Sequence, residues 1–432
     1  MNCNFFRACA ILFILSVLGA GVTQVFSAET KGDKSNPSVK EKASNPPSIY
    51  DQYIQCFERV YNTMEENYYR PVVREVYDRF IAKFDKEIYG KLSDKTKKIN
   101  FICWRNAAYL VDFLKDPEDI FSAFFPPKAA DQYAKTALGQ RVDLGIEGKL
   151  TPEGYMVSFV EPRSDAFEKG LEAEDFILAI DNVKVAGLSE KEIQEKLTPL
   201  IDTAVALALL DHKSKAERSI SVISKEYFKQ SVFMVPVDVP GVYCLQIKHF
   251  NRKTADDMFR FLSAIKKHNE ATALIIDLRG NPGGPPLAAR EIAAFFLAPD
   301  EELAYFQKKN QPKAMLSVPP LGKEYHYSGP MAILIDKGSG SASELFSGFM
   351  QKRKRAVLFG TNSAGKVMLK SMFDYDDGTM LLLVTARGYM YDNSLYPFNG
   401  LTPDFAFNDD KTDVIHMAAI YLKSTLTKKE PN

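Results

Sequence analysis

From Gly241 onward the chain alternates short apolar stretches with amphipathic stretches of helical period. Val242 to Ile247, Ala273 to Leu278, Met331 to Ile335 and Ala356 to Phe359 have strand length. Thr254 to Lys267, Leu287 to Phe296 and a segment opening at Ser341 and running to about Gln351 have helical spacing. Alternation at this spacing predicts a mostly parallel sheet flanked by helices. Reactive groups in such sheets gather where strands end and loops begin. Two loops of that kind stand out: Gly340-Ser341-Ala342-Ser343-Glu344, and the run containing Gly365-Lys366. A strand-to-helix turn can expose a hydroxyl on a rigid element, with backbone N–H groups facing whatever it attacks.

The rest of the 432 residues divides by texture. Arg7, the apolar run Ala8 to Ala20 and the small residues around Val25-Phe26-Ser27-Ala28 read as a secretory signal over residues 1–28. The mature chain is then periplasmic or secreted, and it is membrane-anchored only if that segment stays uncleaved. Residues 29–47 are rich in Lys, Ser, Asn and Pro and read as a flexible linker. Helical periodicity follows to about Tyr133, with Ile54, Phe57, Val60, Tyr61 and Met64 on one face and Val76, Phe80 and Phe84 on another. Between Leu138 and Tyr227 come short strands: Asp143 to Glu147, Tyr155 to Val160, Phe176 to Ile180 and Val205 to Leu210. One helix, Ser189 to Leu197, interrupts them, started by the Ser189/Glu192 capping box. Lys plus Arg equals Asp plus Glu at 55 each, so no global field draws the chain to nucleic acid or anionic lipid.

Of five cysteines, Cys3 and Cys9 leave with the signal. Cys56 and Cys103, on neighbouring helical segments, could bridge in an oxidising compartment or stay small buried residues, and Cys244 has no third partner. His212, His249, His268, His326 and His416 show no H-x-x-x-H spacing, and no metal site is expected. Gly360 to Lys366 nearly matches the phosphate loop G-x-x-x-x-G-K-[ST], but Val367 has no hydroxyl for Mg²⁺, and Met368, Met372 and Phe373 continue as strand rather than helix. Nucleotide binding is therefore not expected. Ser341 to Glu344 is itself an S-x-x-E capping box, which offers a purely structural use for that serine.

Taken together, the motifs resemble the carboxy-terminal processing proteases, also called tail-specific proteases. The resemblance lies in Asp277-Leu278-Arg279-Gly280-Asn281-Pro282-Gly283-Gly284, in Gly340 to Glu344 and in Gly365-Lys366. It extends to Asp377-Gly378, Thr385-Ala386-Arg387 and Gly400-Leu401-Thr402-Pro403-Asp404. Gly170-Leu171 to Ile180-Asp181-Asn182 is similar to that family's PDZ module, and Asp116-Pro117 to Pro126 to its helical lead-in. The likeness covers about residues 50 to 408, and its most specific part is the 25-position spacing from Ser341 to Lys366. It implies a multidomain α/β protein with a helical N-terminal domain (48–136), a PDZ-like α+β module (137–227) and a mostly parallel-sheet α/β core with a C-terminal segment (228–432).

The implied activity is that of a serine endopeptidase without cofactor, acting on polypeptides with apolar C-termini. Ser341 is the nucleophile and Lys366 the general base, with the backbone N–H of Ala342 and one from Gly283-Gly284 as the oxyanion hole. A substrate C-terminus lies against Leu144, Gly145 and Ile146. A homo-oligomer is left open. A lysine can act as base only if its pKa falls from ~10.4 toward neutral, so Lys366 is expected to be dry. Four departures stand out: Lys370 where the family has an orienting glutamine, Val367 for glycine, Ala364 for an aromatic, and Glu174 for glycine. A cation at 370 depresses the neighbouring amine but, as an ammonium, cannot accept its hydrogen bond. The alternative is a catalytically inactive PDZ-based peptide-binding scaffold of the same fold.

Overall fold

The computed structural model describes residues 47–92, 99–267, 272–407 and 412–427. The signal segment 1–28, nearly all of the linker 29–47, and His268 lie outside the described residues. Three helices come first: α1 (Ile49–Asn67), α2 (Arg74–Glu87) and α3 (Ile99–Leu114). Ser48 and Asp51 form a reciprocal capping box that starts α1. Of the expected face, Phe57, Val60, Tyr61 and Met64 are buried, joined by Tyr53 and Cys56, whereas Ile54 is half-buried. Phe57 meets Phe80 and Phe84 edge-on at centroid distances of 5.5 and 4.9 Å. Cys56 and Cys103 are joined, tying α1 to α3. The strand β1 (Ala123–Phe125) and the helix α4 (Pro127–Leu138) complete this segment.

The next segment holds β2 (Gln140–Asp143), β3 (Ile146–Thr151), β4 (Gly154–Val160), the single turn α5 (Asp165–Glu168), β5 (Phe176–Ile180), β6 (Val183–Lys184), α6 (Glu190–Leu197), β7 (Ala204–Leu210), β8 (Glu217–Ile223) and β9 (Lys225–Phe228). The strand expected over Asp143 to Glu147 is two strands. Gly145 turns the chain at φ +74°, and the Asp143 carboxylate accepts from its N–H at 2.7 Å, which ends β2. The Ser189/Glu192 box opens α6 as expected. β3-β4-β5-β7-β8 form one sheet with β6 on β5, around a core of their own. β2 pairs only with β9, so this module enters and leaves through one two-stranded ribbon.

The remainder is β10 (Val232–Val235), β11 (Val242–Ile247), α7 (Thr254–Lys266), β12 (Ala273–Asp277), α8 (Pro286–Ala293), β13 (Glu302–Lys308), β14 (Ala314–Ser317), β15 (Met331–Ile335), α9 (Ala342–Lys352), β16 (Val357–Gly360), β17 (Met368–Asp374), β18 (Met380–Met390), β19 (Phe405–Ala406) and α10 (Val414–Thr427). A six-stranded sheet, β10-β11-β12-β15-β16-β19, is parallel apart from β10. β12 and β15 are buried on both faces, which explains their unbroken apolar runs. Leu274 and Ile276 join the cluster under α7, α8 and α9, while Ala273 and Ile275 join the one under α10. A second, antiparallel sheet follows the order β1-β18-β13-β14, with β17 also on β18. Leu381, Leu383 and Val384 of β18 lie in the same apolar cluster as α1 to α3, so the helical segment and the core share a strand. No helix among the described residues is long and apolar enough to cross a membrane.

Candidate active site

Three loops meet at the C-terminal ends of β12, β15 and β16. After β12, the Arg279 guanidinium grips the buried Asp277 carboxylate with two bonds of 3.0 and 2.8 Å. The buried Asn281 then organises the turn: its amide donates to Ile247 O, its Oδ1 accepts from Gly283 N–H at 2.8 Å, and its carbonyl accepts from Gly340 N–H and Ser343 Oγ. A Cβ on Gly283 would stand 2.8 Å from both Ser341 Cβ and Ala342 N, and one on Gly284 would stand 2.0 Å from Phe250 O. Both positions therefore require glycine. The loop after β15 is tied to this turn through Asp336, whose Oδ1 accepts from Gly280 N–H and Gly338 N–H, each at 2.8 Å.

Ser341 sits at φ +53°, ψ −112°, a backbone conformation uncommon outside glycine and held here by its surroundings. Its hydroxyl faces the Glu344 N–H in the arrangement of a capping box but makes no capping hydrogen bond. Glu344 carries the reciprocal bond and more. Its buried carboxylate accepts from Ser341 N–H (2.9 Å) and Lys366 N–H (2.7 Å) on one oxygen, and from Ser363 Oγ and Gly365 N–H (both 2.6 Å) on the other. All four acceptor sites of the carboxylate are filled. The chain segments of Ser341 and Lys366 are thus clamped to one group, which the sequence had marked only as a helix cap.

The side chains around the clamp depart from expectation. Lys366 is exposed, not dry, and its Nζ lies 5.9 Å from the Phe121 ring centroid. Lys370 on β17 is half-buried, with Nζ 5.0 Å from the same ring. Burial, and then the charge of Lys366, hold the Lys370 amine below the ordinary lysine range. Phe121, from the loop before β1, lies within the Asp116 to Pro126 run of the family likeness, but no role was assigned to it there. Of the oxyanion candidates, the Gly283 N–H is committed to Asn281. The N–H groups of Ala342 and Gly284 have no partner among the described residues.

At the distant peptide-binding candidate, β3 is an edge strand, but the Leu144 N–H donates to Leu197 O at 3.2 Å and the Gly145 N–H to Asp143. Leu150 N–H further along β3 reaches Glu190 of α6 at 3.4 Å.

Residues 241–407 match the family model of peptidase family S41, and residues 134–210 match that of the PDZ domain. The S41 match lies over the part of the chain that carries the site, and the PDZ match over the module before it. Among the chain's relatives is a probable CtpA-like serine protease of Staphylococcus haemolyticus, 24% identical over 398 residues, which are 91% of this chain and 71% of the relative. A carboxyl-terminal-processing protease of Synechocystis is 25% identical over 282 residues, 64% of this chain and 65% of that protein. The crystal structure of the tricorn protease shares the fold with a TM-score of 0.56 at 16% identity, over 88% of this chain and 37% of that one. The region that matches the S41 model spans β11 to β19 and so contains all three loops of the site.

Proposed function

We propose that the chain is an exported serine endopeptidase that cuts unfolded or C-terminally exposed polypeptides, with Ser341 as nucleophile and Lys366 as general base. The observation that carries this reading is the Glu344 carboxylate, which binds the N–H groups of both residues and so keeps their main chains adjacent. Neutral Lys366 takes the Ser341 proton as Oγ attacks the peptide carbonyl. Ala342 N–H and Gly284 N–H meet the oxyanion, a contribution of roughly 3–4 kcal/mol per donor. The lysine then delivers its proton to the leaving amine, and a water activated by the same amine releases the acyl group. Lys366 works only when substrate or a loop shift dries it. Exposed apolar side chains nearby, Ile120 beside Phe121 and Phe398 whose carbonyl packs on Gly365, suit apolar substrate residues. The PDZ module would take a C-terminus along β3, with its carboxylate at Leu144, Gly145 and Ile146, once the internal bonds of Leu144 and Gly145 yield.

A second reading, the peptide-binding scaffold without turnover, is favoured by the exposure of Lys366 and by Lys370 at its side. A disordered polypeptide ending in apolar residues, incubated with the chain and with its Ser341→Ala and Lys366→Ala variants, decides between them. Cleavage by the unsubstituted chain alone supports the peptidase. Binding by all three with cleavage by none supports the scaffold.

A further inference from the structure

Arg387 of β18 is a half-buried cation that makes no ion pair or hydrogen bond among the described residues. Its guanidinium carbon lies 4.7 Å from the centroid of the Phe398 ring and 5.9 Å from that of Tyr69. Arg59, Arg70, Arg74 and Arg353 also lie over tyrosine rings, but each of those has a carboxylate partner. The carboxylates around Tyr69 are spent elsewhere. Asp116 binds Arg70 and the Glu118 N–H, and Asp119 takes Tyr68 OH and the N–H groups of Phe121 and Ser122.

This unpaired cation borders the loop that carries Lys366. Met368, two residues after the lysine, is the Cα partner of Arg387 across the β17–β18 pair. The Gly388 N–H donates to Val367 O at 3.3 Å, and the Phe398 carbonyl fills the space that a Cβ on Gly365 would need. Phe398 itself is exposed and gives the guanidinium an apolar wall. A guanidinium lying against a ring keeps its in-plane N–H donors free, and the fork they form matches a carboxylate.

We infer that Arg387 reads a carboxylate on the substrate: its fork takes either an acidic side chain close to the cut or the free C-terminus of a short tail. The inference rests on the Ser341/Lys366 reading above and names the substrates that site favours. A permanently charged guanidinium also draws such a carboxylate away from Lys366, whose amine the negative charge would otherwise keep protonated. If Arg387 only packed against its two rings, substrate charge would not matter.

The test uses disordered 20-residue peptides in which a single Asp is moved one position at a time, each paired with its Asn counterpart. Every peptide is made both as the free acid and as the C-terminal amide. The unsubstituted chain should prefer, by roughly 10- to 100-fold in kcat/KM, either Asp over Asn at a defined position or the free acid over the amide, and which of the two it prefers identifies the source of the carboxylate. In Arg387→Gln that ratio should fall to about one. No preference in the unsubstituted chain, or the same preference in Arg387→Gln, overturns the inference; the second result assigns charge reading to another surface, such as the PDZ module. If Arg387→Gln does not fold, as judged by circular dichroism, Arg387→Lys decides, because it keeps the charge without the planar fork. Its preference should drop several-fold, and an undiminished one overturns the inference. Fluorescence anisotropy with labelled peptides measures the same ratio as binding to Ser341→Ala and to Ser341→Ala/Arg387→Gln, without turnover. Absence of cleavage by any form, with charge-dependent binding still lost on Arg387→Gln, overturns the dyad and leaves this inference standing. Cleavage that depends on Ser341 but ignores substrate charge overturns this inference and leaves the dyad.

Discussion

Glu344 concentrates the structural risk of the site in one side chain. Truncating it leaves three N–H groups and a hydroxyl without their acceptor in a dry environment, each costing about 1–3 kcal/mol. Glu344→Ala should therefore lower the denaturant midpoint by the equivalent of about 3 kcal/mol or more and abolish turnover. Glu344→Gln, which presents an amide where two donors point, should cost turnover at a smaller loss of stability. A Glu344→Ala variant with normal kcat would break the proposed clamp. Lys370 acts on stability in the opposite sense. Its folded-state pKa is lowered, so between that value and the unfolded ~10.4 the unfolded chain binds more protons, and stability rises with pH through that window. Below the window the buried charge is a standing penalty. Lys370→Gln should then melt higher than the unsubstituted chain at neutral pH, with the gain shrinking as pH approaches 10. Glu174 illustrates what residue identity alone can tell: the family likeness expects glycine there, and the backbone stands at φ +74°. Glu174→Gly should raise stability by about 1 kcal/mol, read from a thermal melt. By contrast, the dryness expected of Lys366 came from the chemistry asked of it and not from any residue beside it in the sequence, and its side chain is open to solvent.

Elements with local causes were legible. The strands Val242–Ile247 and Phe176–Ile180 and the box that starts α6 came directly from period and capping residues. The parallel sheet followed from alternation, because each β-α-β step constrains the next. The antiparallel sheet did not, since β18 pairs with β1, β13 and β17, and no periodicity in Met380–Met390 names those partners. The strand expected over Asp143 to Glu147 failed at Gly145, where a carboxylate turn outweighs the apolar run. Spacing left the pairing of Cys56 and Cys103 open, and the contact between α1 and α3 closes it. The bridge spans a separation of 47 residues, which in the chain-entropy picture is worth about 4 kcal/mol. Replacing both cysteines by serine should lower the guanidinium midpoint accordingly and remove its sensitivity to reductant; an unchanged midpoint would count against the bridge.

Across the whole molecule, the PDZ module hangs on the β2–β9 ribbon and contacts α7 through Arg163 and Asp257. When Arg163 is absent, Asp257 keeps Arg260 and Ser231. Residues 144–224 replaced by an Asn-Gly turn should therefore leave a folded chain that has lost affinity for peptide C-termini but keeps Ser341-dependent cleavage of disordered polypeptides. Loss of cooperative unfolding in that variant would show that the module is part of the scaffold. The strand β18 has a further effect, on the order of events during synthesis. The helices made first complete their apolar cluster only when a strand made near the end of the chain arrives, and such long-range pairing is slow. The lead-in therefore cannot mature as the polypeptide emerges, and a chain cut short before residue 380 would keep that greasy face open to chaperones and quality-control proteases.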